Sequence, residues 1–278
     1  MHLSGLFLYP VKSLRGCSVA RGEIDALGVV GDRRFMIVDE SGKFLTQRSL
    51  ARMALIKTAL TRDSLLLSAH ETPTIGIERI GNSTTPTRIV EIWGNKDLSA
   101  DDCGDEPAKW LSHFLGTACR LVRIGTSFKR PLPKAPFHST ETTSLVDAYP
   151  LLLVGDGSLG ELNARLQGQG GLPVPMNRFR PNLVISDCSA FEEDTWTRFR
   201  LGEITFRTAG PCARCIVTTT DQMSGVRGKE PLRTLSTFRR DINDDTLINF
   251  GQNLVHETKQ GTLCLGDRLD VLDASPTP

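Results

Sequence analysis

The chain has 278 residues, 39% of them hydrophobic and 23% charged, and its net charge of +1 excludes a whole-protein field that would attract nucleic acid or a membrane. Seven cysteines are too few for a disulfide scaffold, and no stretch approaches the ~18 apolar residues of a membrane span. Because the first ten residues do not resemble a secretory signal, we expect a cytoplasmic protein with free thiols and no membrane or nucleic-acid partner.

The first third of the chain is predicted to fold into short strands, and their close spacing is typical of a barrel or sandwich. These strands are predicted at Leu3–Tyr9, Phe35–Val38, Phe44–Thr46, Ala54–Leu60, Leu65–Ser68 and Arg88–Trp93. A helix is predicted over Pro107–Leu115, because its large apolar residues recur at helical spacing and Gly116 is a natural stop.

A basic, proline-rich segment separates the two halves of the chain. Residues 125–145 are predicted to be a linker between a lobe at 1–124 and a lobe at 146–274. An alternative is a mobile basic flap over an anionic ligand. Within this segment, Lys129–Lys134 is also a candidate docking surface for an acidic partner, with a solvated linker as the alternative.

The second half of the chain is predicted to mix helices with strands. Ser158–Glu161 has the form of a capping box, and a second helix is predicted over Glu230–Arg240. Strands are predicted at Asn182–Ile185, Ile204–Phe206 and Ile216–Thr219, with a closing strand pair in Leu263–Leu272. The fold class is therefore mainly β with α (α+β), with helices at the periphery.

Cys212 and Cys215 flank Arg214 at the start of a β-branched run. A neighbouring cation favours a thiolate, which is both a nucleophile and a soft-metal ligand. Structural zinc would need two more ligands, but the other cysteines are isolated and the five histidines are scattered. A redox pair would usually open a helix. Two interpretations stay open: one thiolate acts as a ligand or nucleophile, or both thiols are packing groups.

Basic residues stand beside several predicted strands. Lys12 and Ser13 follow the first strand, Arg33 precedes the second, and Arg180 precedes the strand that begins at Asn182. Ammonium and guanidinium groups suit phosphate. Each position alone is most often a solvated surface group, and Asp32–Arg33 is equally consistent with an internal ion pair. The residues themselves do not show whether these cations converge.

Taken together, the motifs resemble those of MOSC-domain proteins, a family related to the C-terminal domain of molybdenum cofactor sulfurase. The chain is most similar to the bacterial YcbX branch and to the mitochondrial amidoxime-reducing component. The resemblance spans nearly the whole chain and rests on Tyr9–Ser13, Asp32–Arg33, Asp102–Gly104, Phe179–Asn182, Cys212–Cys215, Lys229–Leu232 and Phe250–Asn253. It implies an N-terminal MOSC-type β-barrel lobe and a C-terminal MOSC β-barrel lobe.

The resemblance also implies a molybdenum–pterin cofactor. Its metal ligand, and the catalytic residue, is implied to be Cys215, while Cys212 receives no role. The anionic tail of the pterin is implied to be held by the cofactor-binding residues Lys12, Ser13, Arg33, Arg180, Asn182 and Arg214.

The implied reaction is the reduction of N-hydroxylated compounds, such as hydroxylamines, amidoximes and hydroxylaminopurines. Some bacterial relatives carry a ferredoxin domain, whereas this sequence ends at Pro278 without the four clustered cysteines that such a domain needs. We therefore expect a separate ferredoxin- or cytochrome-type electron donor with its reductase. The alternative function is a carrier of the cofactor, or of sulfur on Cys215, that performs no reduction.

Overall fold

Short strands dominate the chain, because its β-branched and aliphatic runs are separated by turns rich in Gly, Asp and Ser. The computed structural model describes residues 1–132 and 142–275. Its α-helices are α1 (Asp105–Leu115), α2 (Asp156–Gly168) and α3 (Leu232–Leu235), and its 3₁₀ helices are Ala51–Leu55, Met176–Arg178, Glu192–Asp194 and Ile216–Thr219. The prediction of a mainly β chain with peripheral helices is confirmed.

The strands of the first half are β1 (His2–Leu8), β2 (Cys17–Ser18), β3 (Arg21–Asp25), β4 (Gly28–Val29), β5 (Phe35–Val38), β6 (Lys57–Leu60), β7 (Ser64–Ser68), β8 (Ile75–Glu78), β9 (Thr87–Ile92), β10 (Asn95–Asp102) and β11 (Arg120–Arg123). Those of the second half are β12 (Leu151–Gly155), β13 (Leu183–Ser186), β14 (Trp196–Leu201), β15 (Ile204–Ala213), β16 (Asn249–His256), β17 (Gly261–Cys264) and β18 (Leu269–Ala274).

The largest sheet combines strands from both ends of the chain. Its eight strands run in the order β18-β14-β15-β16-β12-β13-β1-β2. Strand β1 pairs antiparallel with β13, with Leu3 opposite Ile185 and Leu6 opposite Leu183, whereas β12 and β13 are parallel. Because β1 runs opposite to β13, the residues that follow β1 lie beside those that precede β13. This pairing brings two of the basic strand ends together.

Three smaller sheets complete the fold: β5-β11-β10-β9, β17-β3-β4 and β6-β7-β8. In the N-terminal part, the apolar face of α1 packs through Trp110, Leu111 and Phe114 into a core shared with β5 to β8. A separate core lies under the eight-stranded sheet and includes Phe199 and Phe206. The proposed lobe boundary at 125–145 stays a prediction, and residues 133–141 of it lie outside the described residues.

The segment Ile216–Thr219 forms a 3₁₀ helix, so the predicted strand there is wrong. Its threonine hydroxyls turn back onto the backbone: Thr218 Oγ1 donates to the Cys215 carbonyl at 3.0 Å and Thr219 Oγ1 to the Ile216 carbonyl at 2.8 Å. Such side-chain-to-backbone bonds compete with strand pairing. The tight turn therefore begins directly at Cys215.

The predicted capping box at Ser158 is also wrong. Helix α2 begins earlier, at Asp156, and Ser158 Oγ lies 2.7 and 2.8 Å from the two carboxylate oxygens of Glu193. Burial raises the pKa of Glu193, and the hydrogen bonds from Ser158 and the Gly155 N–H oppose this effect. The serine thus satisfies a buried carboxylate instead of an N-terminal amide.

The two C-terminal elements differ from their predictions as well. The predicted helix over Glu230–Arg240 is helical only at Leu232–Leu235, because Arg240 then pairs with Ile248 and the chain turns back. The predicted closing pair is two strands with different partners: β17 pairs with β3 and β18 with β14. In residues 1–132 and 142–275, no helix has the length and apolar character needed to cross a membrane.

Asp102, from one of the sequence motifs, lies on β10 and links this strand to its neighbours β9 and β11 in the sheet β5-β11-β10-β9. Its carboxylate accepts hydrogen bonds from Arg88 on β9 at 3.1 Å and from Arg120 on β11 at 2.7 Å, and it also accepts from the Gly104 N–H before α1. Although burial opposes its ionisation, these donors hold the pKa of Asp102 below its ordinary value. The group therefore stabilises the fold while it is ionised.

We expect Asp102→Asn to lower the free energy of unfolding by about 2 kcal/mol at pH 7, because two arginines lose a largely buried anion. Since the pKa of Asp102 is lower in the folded state, its contribution is present above the unfolded pKa and is lost as the pH falls. The difference from the parent should therefore shrink below about pH 4. Urea unfolding at several pH values measures both effects.

The matched control is Asp105→Asn, because Asp105 pairs with the same Arg120 but its side chain is 78% exposed. An exposed pair contributes at most about 1 kcal/mol. If both substitutions lowered stability equally, the assignment of Asp102 as the buried tie would be wrong.

Candidate functional site

One cavity of about 460 Å³ lies between the end of β1, the segments before β5 and β13, and the end of β15. All seven candidate site residues line it: Lys12, Ser13, Arg33, Arg180, Asn182, Arg214 and Cys215. The structure therefore brings the basic strand ends and the cysteine pair to one place. Their roles as cofactor or metal ligands stay predictions.

Tyr9 is the support on which two of the cavity arginines rest. The guanidinium carbons of Arg33 and Arg180 each lie 4.3 Å from the centroid of the Tyr9 ring. The buried ring hydroxyl donates to the Pro181 carbonyl at 3.1 Å. Burial raises the pKa of Tyr9 to about 12, so the ring stays neutral, while burial lowers the pKa of Arg180 to about 10. Arg180 therefore remains cationic at neutral pH.

Arg33 is held in place by two further partners. Its Nη1 donates to Asp32 Oδ2 at 2.5 Å and to Asn182 Oδ1 at 2.9 Å. Asn182 is itself fixed between strands, since its Nδ2 donates to the Phe7 carbonyl and its Oδ1 accepts from the Leu152 N–H. The internal ion pair considered for Asp32–Arg33 therefore exists, and Arg33 lines the cavity as well.

Lys12 follows strand β1, three residues after Tyr9, and forms an ion pair with Asp147. Its ammonium also stands 5.5 Å from the Phe44 ring centroid and 5.7 Å from that of Trp93. Burial lowers the pKa of Lys12 to about 8, although Asp147 opposes this shift. Although desolvation within the cavity opposes the ionisation of Asp147, Lys12 and the Trp93 indole N–H hold its pKa well below the usual range. The carboxylate is therefore an acceptor at neutral pH.

Arg214 turns toward Cys212 and not toward Cys215. Its Nη1 donates to Cys212 Sγ at 2.9 Å and its Nη2 to the Phe179 carbonyl at 2.5 Å. Its buried Nε has no hydrogen-bond partner within the part of the chain that the structure describes. Such an orphaned donor in a cavity wall is the kind of group that an anionic ligand satisfies.

Cys215 is half-buried and lies where extended backbone meets the 3₁₀ helix. Its carbonyl accepts hydrogen bonds from both the N–H and the hydroxyl of Thr218, at 3.1 and 3.0 Å. Because its backbone is held by its own turn, the thiol is placed by local structure. In the described residues, no three His, Cys, Asp or Glu side chains cluster as a metal site would require.

The docking surface predicted at Lys129–Lys134 is wrong at Arg130. Lys129 is exposed, but Arg130 is fully buried, and Lys134 lies outside the described residues. The Arg130 guanidinium donates to the carbonyls of Ser144, Val146 and Asp147, at 3.0, 2.6 and 3.3 Å. A buried cation that satisfies three carbonyls cannot meet a partner protein. It instead fixes the backbone that carries Asp147.

Among the cavity residues that the sequence did not predict, Arg48, Trp93 and Asp147 contact one another. Arg48 stacks on Trp93 at 4.4 Å, and the indole Nε1 donates to Asp147 Oδ1 at 3.0 Å. Trp93 carries no signal of a site, because it was predicted only as the last residue of a strand. Asp147 carries none, because it lies in an irregular segment whose path depends on Arg130.

Comparisons with known proteins agree with the motifs. The MOSC N-terminal beta barrel domain matches residues 1–118, and the MOSC domain matches residues 140–270. Mitochondrial amidoxime-reducing component 1 of Mus musculus is 33% identical over 96% of this chain and 81% of its own length. Component 2 of Rattus norvegicus is 35% identical over 85% of this chain and 72% of its own length. Component 1 of Homo sapiens is 32% identical over 96% of this chain and 82% of its own length.

The family matches together span most of the chain, and the relatives align over nearly all of it. The chain therefore belongs to the MOSC family, combining a MOSC N-terminal β-barrel domain with a MOSC domain, and it is homologous to the mitochondrial amidoxime-reducing components.

Proposed function

We propose that this protein is a molybdenum-cofactor-dependent reductase of N-hydroxylated compounds. The observation that carries the proposal is the convergence of Cys215 with five cations on one cavity, in a chain homologous to amidoxime-reducing components. The names of those relatives supply the substrate class, amidoximes. The reaction consumes two electrons and two protons, cleaves the N–O bond and releases the hydroxyl oxygen as water.

The cavity residues fit the anionic cofactor that the family implies. Among the described residues, the lining contains five cations, Lys12, Arg33, Arg48, Arg180 and Arg214, against the single carboxylate of Asp147. The unpartnered Nε of Arg214 adds a buried donor. Guanidinium groups favour phosphate oxygens, and a soft thiolate is a suitable ligand for a redox metal. Charge, donors and ligand type thus agree with a molybdenum–pterin bearing a phosphate tail.

In this proposal, Lys12, Ser13, Arg33, Arg180, Asn182 and Arg214 hold the cofactor and Cys215 is the protein ligand to its metal. When bound, the cofactor supplies a metal centre that exchanges two electrons with the substrate. The protein holds the cations in fixed positions, because Arg33 and Arg180 rest on Tyr9 and Lys12 rests against Asp147. Such fixed groups need little reorganisation when charge changes nearby.

Asp147 is the cavity group best suited to orient the substrate. Its side chain is 64% exposed although it pairs with Lys12, and its low pKa keeps it ionised. An ionised carboxylate accepts hydrogen bonds, and an amidoxime offers both N–H and O–H donors. Electrons come from a separate protein of the ferredoxin or cytochrome type with its reductase.

Metal analysis followed by a turnover assay tests the proposal. The purified protein should contain near-stoichiometric molybdenum and should convert benzamidoxime to benzamidine with reduced benzyl viologen, but not with reduced nicotinamide alone. Bound molybdenum without turnover would instead support the carrier function. Protein that contains no molybdenum when produced in cells that make the cofactor would overturn the reductase and the cofactor carrier, and would leave only the carrier of sulfur on Cys215.

We expect Cys215→Ser to lower turnover by more than the roughly 100-fold that follows loss of an outer-shell partner of a metal, because a hydroxyl is a poor ligand for a soft metal. Cys212→Ser is the matched control, since Cys212 contacts Arg214 in the same cavity. X-ray absorption at the molybdenum edge should show the loss of one sulfur neighbour only in Cys215→Ser. Equal losses in both variants would contradict the single-ligand assignment.

Lys12 gives the cavity a measurable pH dependence. Because the pKa of Lys12 is lowered to about 8, its charge is present below that pH and is lost as the pH rises through it. The affinity of the cofactor-free protein for inorganic sulfate, which stays a dianion throughout, should therefore fall as the pH is raised from about 6.5 to about 9.5 at constant ionic strength.

Lys12→Arg is the control for this titration, because its guanidinium stays charged throughout the range. Its sulfate affinity, measured by calorimetry, should be nearly constant where that of the parent falls. A parallel decline in both proteins would show that another group controls anion binding.

A further inference from the structure

Two arginines that point in opposite directions join the segment around Cys215 to the segment that leads into β13. Arg214, directly before Cys215, donates from Nη2 to the Phe179 carbonyl at 2.5 Å. Arg178, which precedes β13, donates from Nη1 to the Thr218 carbonyl at 3.3 Å. Each segment therefore holds a backbone carbonyl of the other, and the two contacts lie on either side of Cys215 in the sequence.

Arg178 also reaches the loop that follows the 3₁₀ helix Ile216–Thr219. Its Nη2 donates to Asp221 Oδ2 at 3.3 Å, and only 13% of the arginine side chain is exposed. The other carboxylate oxygen of Asp221 accepts from the Met223 and Ser224 N–H groups, at 2.9 and 2.8 Å. The guanidinium thus links the end of the helix to a carboxylate that the next turn already holds.

The support of Arg178 is anchored in the protein core. Arg178 ends the 3₁₀ helix Met176–Arg178, and the Phe179 ring that follows it is fully buried. That ring stacks on Phe250, with the two centroids 4.2 Å apart. Because close-packed core residues have little room to shift, the backbone position of Arg178 is fixed independently of the cysteine segment.

The turn at Cys215 depends on the same residue that Arg178 holds. Thr218 is buried, and its N–H and hydroxyl both donate to the Cys215 carbonyl, at 3.1 and 3.0 Å. Thr218 therefore accepts from Arg178 at its carbonyl and holds Cys215 through its own donors. Cys215 lines the cavity, whereas Arg178 does not. The influence of Arg178 on the thiol thus passes through this turn.

We propose that Arg178 is a positioning residue for the Cys215 thiol. Through the Thr218 carbonyl and the Asp221 carboxylate it holds the far end of the 3₁₀ helix, and the turn then sets where the thiol lies in the cavity. The proposal rests on the proposed function only for its consequence, which is the placement of a metal ligand. The double contact suits arginine, because its planar fork meets two acceptors at once, whereas a lysine ammonium is a compact point charge.

The test measures the turn directly in the full-length, cofactor-free protein, with Arg178→Ala as the variant. The first readout is hydrogen exchange at the Thr218 N–H, which donates to Cys215. The second is the rate at which iodoacetamide alkylates Cys215. Trypsin cleaves after Arg214, so mass spectrometry of the peptide that begins at Cys215 reports this thiol separately from Cys212.

Arg120→Ala is the matched control. Arg120 is also a partly buried arginine, 26% exposed, and it pairs with Asp102 and Asp105, but it lies on β11 in the N-terminal sheet. Urea unfolding gives the global stability of each variant. The control therefore separates a general loss of stability from an opening of the turn at Cys215.

We expect Arg178→Ala to speed both exchange and alkylation by roughly fivefold, the factor by which loss of one ordinary hydrogen bond changes an opening equilibrium. Arg178→Lys should lie between the parent and Arg178→Ala, and it provides the same comparison where the alanine variant does not fold. Arg120→Ala should match the parent in both rates, although it lowers global stability. This pattern supports the positioning role of Arg178.

Unchanged exchange and alkylation in Arg178→Ala would overturn the proposal, and so would an equal increase in Arg120→Ala. Failure of the proposed function gives a different result, since the parent produced in cells that make the cofactor would then contain no molybdenum. The two rates would still decide the role of Arg178, because neither of them requires the cofactor.

Discussion

Several cations around one cavity, most of them partly buried, repel one another and lose hydration, and the rest of the site is arranged to offset these two effects. The fold supplies a different partner to each cation. Arg33 and Arg180 share the Tyr9 ring, Arg33 also takes Asp32, and Lys12 takes Asp147. Each partner satisfies one part of its cation and leaves the rest directed at the cavity. The cavity therefore keeps an excess of positive charge that is available to a ligand.

Backbone strain accompanies this arrangement. Ser13, Arg33 and Arg180 all line the cavity, and all have positive φ, at 65°, 46° and 56°. Residues other than glycine adopt this region at a free-energy penalty, which persists only where the surroundings determine it. Here the surroundings are backbone hydrogen bonds that cross between elements, such as the Arg33 N–H to the Tyr9 carbonyl at 2.9 Å. The strained turns accompany the positions at which Ser13, Arg33 and Arg180 line the cavity.

Much of the candidate site could be predicted because strand ends are visible in a sequence. Lys12 follows an apolar run that ends at Pro10, and Arg180 precedes one that begins after Pro181. Both positions can therefore be identified without knowledge of the fold. The proximity of Lys12 and Arg180 could not be predicted from the hydrophobic pattern, because it requires β1 to pair with β13, which lies far away in the sequence. Arg130 was misjudged for a related reason. A basic, proline-rich composition usually indicates solvent exposure, but three backbone carbonyls on a passing segment gave this guanidinium a buried site.

The cysteine pair shows why spacing alone left two interpretations open. Cys212 and Cys215 are three residues apart, and in extended backbone Arg214 shares a face with Cys212 and not with Cys215. The backbone is extended up to Cys215, and a 3₁₀ helix follows at Ile216–Thr219. Arg214 contacts Cys212 and the Phe179 carbonyl, whereas the backbone of Cys215 is held by Thr218. The two thiols thus differ in what surrounds them: one is already a hydrogen-bond acceptor for a cation, and the other is placed in the cavity by its own turn. Because both thiols line the cavity, the assignment of the metal ligand to Cys215 rests on the position of the motif in the family and stays a proposal.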